Sequence, residues 1–384
     1  MWSDEIRSWF ALANGRINGQ QAIDLIEKFG SIDEVARASV TSLTKAGLDR
    51  DTARAVNRPD AAALDAAVSW LEQPNHHVIT VDSPDFPRLL LETPDAPLLL
   101  YLNGDPGVFQ LPALAIVGSR NPSRGGVQNA HDFAMYLGAS GFCIVSGLAQ
   151  GIDTAAHTGA LEAGAKTIAF LGHGIDRIYP AQNRDVAHQI AASGALVTEY
   201  PLGSSPRKEH FPERNRLISG CSMGTLVVEA ARRSGSLITA RLSSEQGREV
   251  FAIPGSIHNA LSRGCHQLIR QGAKLVECAE DIVSELAPIT GYLMQNDDSV
   301  QPAGKLSEDR DDDYKLLIKT LGHDPATADE LAEKSGLTID QVSSMLLILE
   351  LEGEIEALNG GQYSLLGRSS WHERERTRRA DVSV

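Results

Sequence analysis

Residues 113–128, "ALAIVGSRNPSRGGVQ", decide the fold. An apolar run closes on Gly118, a polar turn follows, and near Val127 a helical spacing of apolar residues begins. The same grammar returns in "CIVSGLAQG" (143–151), "TIAFLGHGID" (167–176), "ALVTEYPLG" (195–203), "TLVVEA" (225–230) and "VFAIPGS" (250–256). "VQNAHDFAMYLGASG", "DTAAHTGALEAG", "RDVAHQIAASG" and "SLITARLSSEQG" intervene as helices. Apolar strands alternating with helices predict an α/β, Rossmann-like, doubly wound and mostly parallel sheet covered on both faces. Ligands of such sheets bind outside the carboxyl ends of the strands, near a switch in strand order. The glycines and polar residues at those ends are therefore where function is sought.

Working outward, residues 3–75 space Ile, Leu, Phe and Val at three and four, with Gly30 and Gly47 at expected helix stops. This predicts a helical module over 1–80 that resembles SAM-like or helix-hairpin-helix units, which often touch DNA backbone; compact helical packing explains the pattern as well. The proline-rich "DSPDFPRLLLETPDAPLLLYLNGD" (82–105) reads as an extended connector, placing the main domain at 81–287. Polar, acidic residues 288–312 read as a linker. Residues 313–366 read as three helices and a hairpin turning at Gly360-Gly361, a winged-helix order, and 367–384 as a charged tail.

The chain has 384 residues and a net charge of −15, yet between Ala113 and Glu285 16 Lys and Arg stand against 15 Asp and Glu, a net of +1. An acidic protein can thus own a local anion site. No run approaches the roughly 18 to 20 apolar residues of a membrane span, and "MWSDEIRSWF" lacks the order of a signal peptide, so a cytoplasmic location is expected. Cys143, Cys221, Cys265 and Cys278 form no CxxC pair, which argues for reduced thiols and against a metal or disulfide framework. No cofactor motif appears: the turn at Gly118 is not GxGxxG, and no GxxxxGK[ST] occurs.

What remains is anion chemistry. Gly118, Ser119 and Arg120 stand at a turn opening a helix, where backbone N–H groups can meet a phosphate. Ser146 and Gly147 end a second strand in the same way. Ser236 starts a helix after "TLVVEAARRSG". In "SPRKEHFPERNRLISG" (205–220) Arg207, Lys208, Arg214 and Arg216 oppose only Glu209 and Glu213, with Phe211 among them. Cations interleaved with an aromatic ring suit single-stranded nucleic acid: charge for phosphates, a flat face for any base. His173 has no carboxylate or cysteine at a spacing that would orient it for catalysis.

Together, "GSR", "SGLAQGIDTAAH", "GHGIDRIYP", "HFPERNRLISG", "EAARRSGSLITA", "GREVFAIPGS" and "GCHQLIRQGAKLV" closely resemble the DNA-processing protein A (DprA/Smf) family, in family order from about Ala113 to Val283. The resemblance implies a non-enzymatic single-stranded-DNA-binding protein that loads RecA during natural transformation and recombination. It also implies a homodimer through the Rossmann-like domain, plausibly its region 250–269. Carried over, the family's strand pocket falls on Gly118, Ser119, Arg120, Lys208, Phe211, Asn215 and Arg216. Capture would be independent of sequence. An alternative is a nucleotide phosphoribohydrolase of the lysine-decarboxylase-like fold, since "SGCSMGTLVVEA" keeps Gly224, Thr225 and Glu229 but puts Cys221 and Met223 where that family has glycines. A protein-interacting scaffold would leave Phe211 and its cations without a purpose. Residues 313–366 carry 3 Lys against 10 Asp and Glu, so the winged helix is expected to meet a protein, or to modulate binding through its acidic surface, rather than to read duplex DNA.

Overall fold

The computed structural model describes residues 4–15 and 17–294 and, beyond them, 316–317, 320–321, 326–339, 342, 345–346, 349, 355–358 and 362–365. The chain divides into two compact units, Met1–Pro302 and Ala303–Val384.

The first unit opens with α1 (Asp4–Asn14), α2 (Gly19–Phe29), α3 (Ile32–Arg37), α4 (Val40–Ala46), α5 (Arg50–Asn57) and α6 (Ala61–Leu71). Side chains of Asn18, Ser31, Ser39, Asp49 and Asp60 cap the starts of α2 to α6 by accepting first-turn N–H groups. Gly30 and Gly47 end α2 and α4 at φ 97° and 120°, as their positions in the sequence predict. Inward faces bury Trp9, Leu12, Val35, Leu43 and Val56.

A nine-stranded sheet follows: β1 (His76–Thr80), β2 (Leu99–Gly104), β3 (Ala113–Val117), β4 (Cys143–Ser146), β5 (Thr167–Phe170), β6 (Ala195–Thr198), β7 (Gly224–Val227), β8 (Glu249–Ala252) and β9 (Lys274–Leu275). Its order is β1-β2-β6-β5-β4-β3-β7-β8-β9. From β6 to β9 all pairings are parallel, and β2 joins β6 antiparallel. The central strands β3 to β7 are buried at every position, which is why they read as uninterrupted apolar runs. Chain order climbs from β3 to β6 on one side and then crosses to β7 on the other. The switch point therefore lies at the end of β3, at Gly118.

The intervening helices are α7 (Arg88–Leu91), α8 (Arg124–Ala139), α9 (Ile152–Glu162), α10 (Arg184–Ser193), α11 (His210–Gly220), α12 (Ser236–Glu245), α13 (Arg263–Arg270) and α14 (Ala279–Met294). Two segments, the connector and the end of the last helix, differ from their sequence reading. The connector holds α7 and the strand β2, which lies between β1 and β6 and whose Tyr101 stacks on Phe10 at 5.8 Å while Trp70 stacks on His76 at 4.2 Å, carrying the core of the helical module onto the β1 end of the sheet. The basic stretch 210–220 is a helix, with Pro212 in a first turn whose N–H groups have no intrahelical partner anyway. The last helix, α14, continues past Pro288 into residues that read as linker; 295–315 and 366–384 lie outside the described residues.

In the second unit β10 (Ala326–Thr327), α15 (Ala328–Ser335), β11 (Ile355–Leu358) and β12 (Gln362–Leu365) form a small sheet in the order β10-β12-β11 with its helix. Thr327 and Glu330 make a reciprocal capping box, and Gly336 closes α15 at φ 76°. Leu317, Leu331 and, from "MLLIL" (345–349), Met345, Leu346 and Leu349 share its core. Gly360-Gly361 lies outside the described residues.

Candidate nucleic-acid interface

The crossover helix α11 lays its first turn over the ends of β4 and β5, beside the turn that leaves β3. Two anchors hold that first turn. His210 stacks on Tyr200 at 4.2 Å, with its Nδ1 3.2 Å from the Gly172 carbonyl. The Tyr200 hydroxyl donates to Glu213 Oε2 at 3.0 Å. Between these anchors Phe211 turns toward β3, and the Arg120 guanidinium lies 5.4 Å from its ring centroid. Beside the same ring stands Tyr179, centroids 5.8 Å apart and tilted by 36°. Arg120, Arg207 and Lys208 are exposed, Phe211 is half-buried, and none of the three cations has an ion pair among the described residues. Asn215, half-buried one turn along α11, has a side-chain amide with no hydrogen bond among the described residues.

The turn after β3 is fixed from beneath. A Cβ on Gly118 would stand 2.6 Å from Ile152 Cγ1 and 3.0 Å from the Glu229 carbonyl, so only glycine lets the start of α9 and the exit of β7 approach. Ser119 caps its own turn by accepting the Asn121 N–H at 3.1 Å. Backbone N–H groups of Ser119 and Arg120 donate to no acceptor among the described residues. The start of α8, by contrast, already has its anion: Glu229 Oε2 and Oε1 accept the Ser123 N–H at 2.8 Å and hydroxyl at 2.7 Å. The N–H groups of this turn without an acceptor among the described residues thus include those of Ser119 and Arg120, whereas the helix start is met by Glu229.

The remaining sequence-predicted residues do not join the exposed set, and each for a nameable reason. Ser146 is buried, its hydroxyl donated to the Ile116 carbonyl at 2.7 Å. Gly147 donates its N–H to Asp153 Oδ2 at 3.2 Å, and a Cβ there would stand 2.4 Å from Arg214 Nη1. Arg214 is only 3% exposed and donates to the carbonyls of Gly147, at 2.8 Å, and Phe170. Burial pulls its pKa down to about 10 against the favourable charge of Asp153, whose own carboxyl is pushed up by burial. Arg216 pairs with Glu199 and donates to the Asp95 carbonyl at 2.6 Å. Ser236 is buried with its hydroxyl 2.7 Å from that of Ser234. His173 is buried and hydrogen-bonded to the Gly174 carbonyl at 3.0 Å. The sequence supplies Tyr179 and Arg184 after the third strand, in "GHGIDRIYPAQNR", but gives Tyr179 no ring partner; the fold sets it beside Phe211.

A sequence model described as DNA recombination-mediator protein A matches residues 77–287, from β1 to the middle of α14. The chain belongs to this family. Within the DNA recombination-mediator protein A family, similarity extends well beyond the strand ends. Protein Smf of Escherichia coli (strain K12) is 42% identical over 307 residues, 79% of this chain and 81% of that one. DNA processing protein DprA of Streptococcus pneumoniae (strain ATCC BAA-255 / R6) is 47% identical over 52% of this chain and 71% of its own. The X-ray structure of DprA from Streptococcus pneumoniae matches with a TM-score of 0.65 at 36% identity, covering 72% of this chain and 97% of that one. A structure of DNA processing protein A from Helicobacter pylori, solved for its single-stranded DNA binding mode, matches with a TM-score of 0.51 at 29% identity, over 56% of this chain and 97% of that one. Residues 301–361 match the DprA winged helix domain. No described helix is long and apolar enough to cross a membrane.

Proposed function

We propose that this protein captures single-stranded DNA without regard to sequence and passes it to a recombinase of the RecA class. The observation that carries the reading is the Phe211 ring, capped by the unpaired Arg120 guanidinium and flanked by the exposed Lys208. A cation over an exposed aromatic face is worth about 0.5–1 kcal/mol, whereas a stacked base contributes about 1–3 kcal/mol. A base therefore displaces Arg120 from the ring with a net gain, and the freed guanidinium turns to the adjoining phosphate. Lys208 and the N–H groups of Ser119 and Arg120 hold neighbouring phosphates. Duplex is rejected because paired bases cannot present a face to Phe211. Asn215 stands close enough along α11 to add a polar contact, while Gly118, Gly147, Arg214 and Arg216 shape the pocket from behind.

The recombination-mediator description and the H. pylori structure support this reading, as does the engagement of Glu229. In the phosphoribohydrolase alternative that carboxylate would face a substrate; here both of its oxygens are bound to Ser123. The reading therefore assigns no catalysis. One pocket grips only a few phosphates, so a homodimer with two would hold long strands by effective concentration. Ile257 and Leu275, 73% and 48% exposed along the β8–β9 edge, support a contact there. Sedimentation of Leu275→Arg tests it: a monomer is expected, and an unchanged assembly would move the contact elsewhere. Strand capture itself is tested by fluorescence anisotropy of labelled oligothymidylate across a salt series for wild type and Lys208→Ala. A weaker complex with a shallower salt slope is expected, and identical titrations would sink the reading.

A further inference from the structure

We propose that Tyr179 is a second base-stacking platform, so that the interface engages two successive bases; this rests on the strand-binding reading above. Tyr179 is 49% exposed although it is a large ring, and its hydroxyl makes no hydrogen bond among the described residues. Core packing does not account for it. What backs it is buried: His173 meets its ring edge-on, centroids 6.4 Å apart at 83°, and hydrogen-bonds the backbone of Gly174 and Tyr179 itself. An exposed aromatic on a fixed support loses little freedom when a planar ligand lands on it.

The spacing to Phe211 decides how bases would sit. A base sandwiched between two rings needs about 3.5 Å on each side, roughly 7 Å between ring centres. The observed 5.8 Å with a 36° tilt excludes a sandwich. Each ring instead serves as its own platform, Phe211 where a base would take the place of the Arg120 guanidinium and Tyr179 on its exposed surface, so two bases lie side by side. This arrangement demands a strand: a mononucleotide can occupy one platform only. It also gives His173 a role as the positioning residue under Tyr179.

The test uses the full chain, Tyr179→Leu, Tyr179→Phe and Tyr179→Trp, with two probes: oligothymidylate, and an oligomer of the same length whose deoxyribose phosphates carry no bases. Tyr179→Leu is expected to bind oligothymidylate about tenfold more weakly, the size of one stack. Its salt slope and its binding to the base-free oligomer should match wild type. Tyr179→Phe restores full affinity, and oligothymidylate quenches the emission of Tyr179→Trp while the base-free oligomer does not. Wild-type affinity in Tyr179→Leu, or equal loss on both probes, overturns the second platform alone. A wild type that ignores oligothymidylate removes the strand-binding reading along with it.

Discussion

Arg207 and Lys208 stand exposed ahead of α11, whereas Arg214 and Arg216, one to two turns further along the same stretch, are held by strand-end carbonyls and by Glu199. In sequence the four cations look alike. What separates them is the helix: its first turn projects over the sheet edge, and its next turns face inward. Outward cations keep their charge in solvent, and inward ones use it to tie β4, β5 and β6 to the crossover. The lesson is that a basic stretch near a strand end divides by the partners its fold supplies, not by composition.

The most forceful way to break this comparison is Arg214→Met. It leaves the carbonyls of Gly147 and Phe170 and the Asp153 carboxylate without their buried cation, a loss of about 3–5 kcal/mol that a urea unfolding curve would register. A stable Arg214→Met protein with weakened DNA binding would place Arg214 with the outward set.

Inward placement also has a pH signature. Burial, and to a smaller degree the Arg214 charge, hold the His157 pKa at about 3, with Nδ1 2.7 Å from the Thr167 hydroxyl. The unfolded chain takes up the proton near pH 6.5 and the folded one refuses it. Stability is therefore full above about pH 6.5 and falls as pH drops toward 3, by about 1.4 kcal/mol per unit. Burial opposes a charged His131, yet its bonds to Asp132 and Glu162 raise its pKa, giving the opposite sign. The check is thus the difference in unfolding midpoint between wild type and His157→Gln across pH 4–7, which should grow in favour of the variant as pH falls.

Arg216→Ala sharpens the division at smaller scale. Loss of a largely buried, charge-assisted contact predicts about 1.5–3 kcal/mol of destabilisation and affinity changed only indirectly. Lys208→Ala is the smallest: stability within about 0.5 kcal/mol of wild type, and a salt slope lower by about 0.7, one single-strand phosphate.

Much of this molecule is legible from its sequence because parallel strands buried on both faces must be apolar throughout, and β3 to β7 announce themselves so. Residues 99–104 do not, since an antiparallel strand arriving after four prolines has the composition of a connector. The site was half legible. Phe211, Arg120 and Lys208 stand out by type, but the partners that draw Ser146, Gly147, Arg214, Arg216 and Ser236 inward are mostly far away in sequence: Ile116 for Ser146, Arg214 for Gly147, Asp95 for Arg216. Only the folded sheet brings them together. The pairing of Tyr179 with Phe211 is illegible for the same reason, the two rings being 32 residues apart.

The central claim is that the outward face of this stretch reads the faces of unpaired bases. The measurement closest to it is a competition, with labelled oligothymidylate bound to wild type or Phe211→Leu and challenged by unlabelled single strand or matched duplex. The account predicts that wild type releases the label to single strand far more readily than to duplex. Phe211→Leu should bind about 1–3 kcal/mol more weakly and lose most of that preference. Equal competition by duplex in wild type, or an undiminished preference in Phe211→Leu, would contradict it.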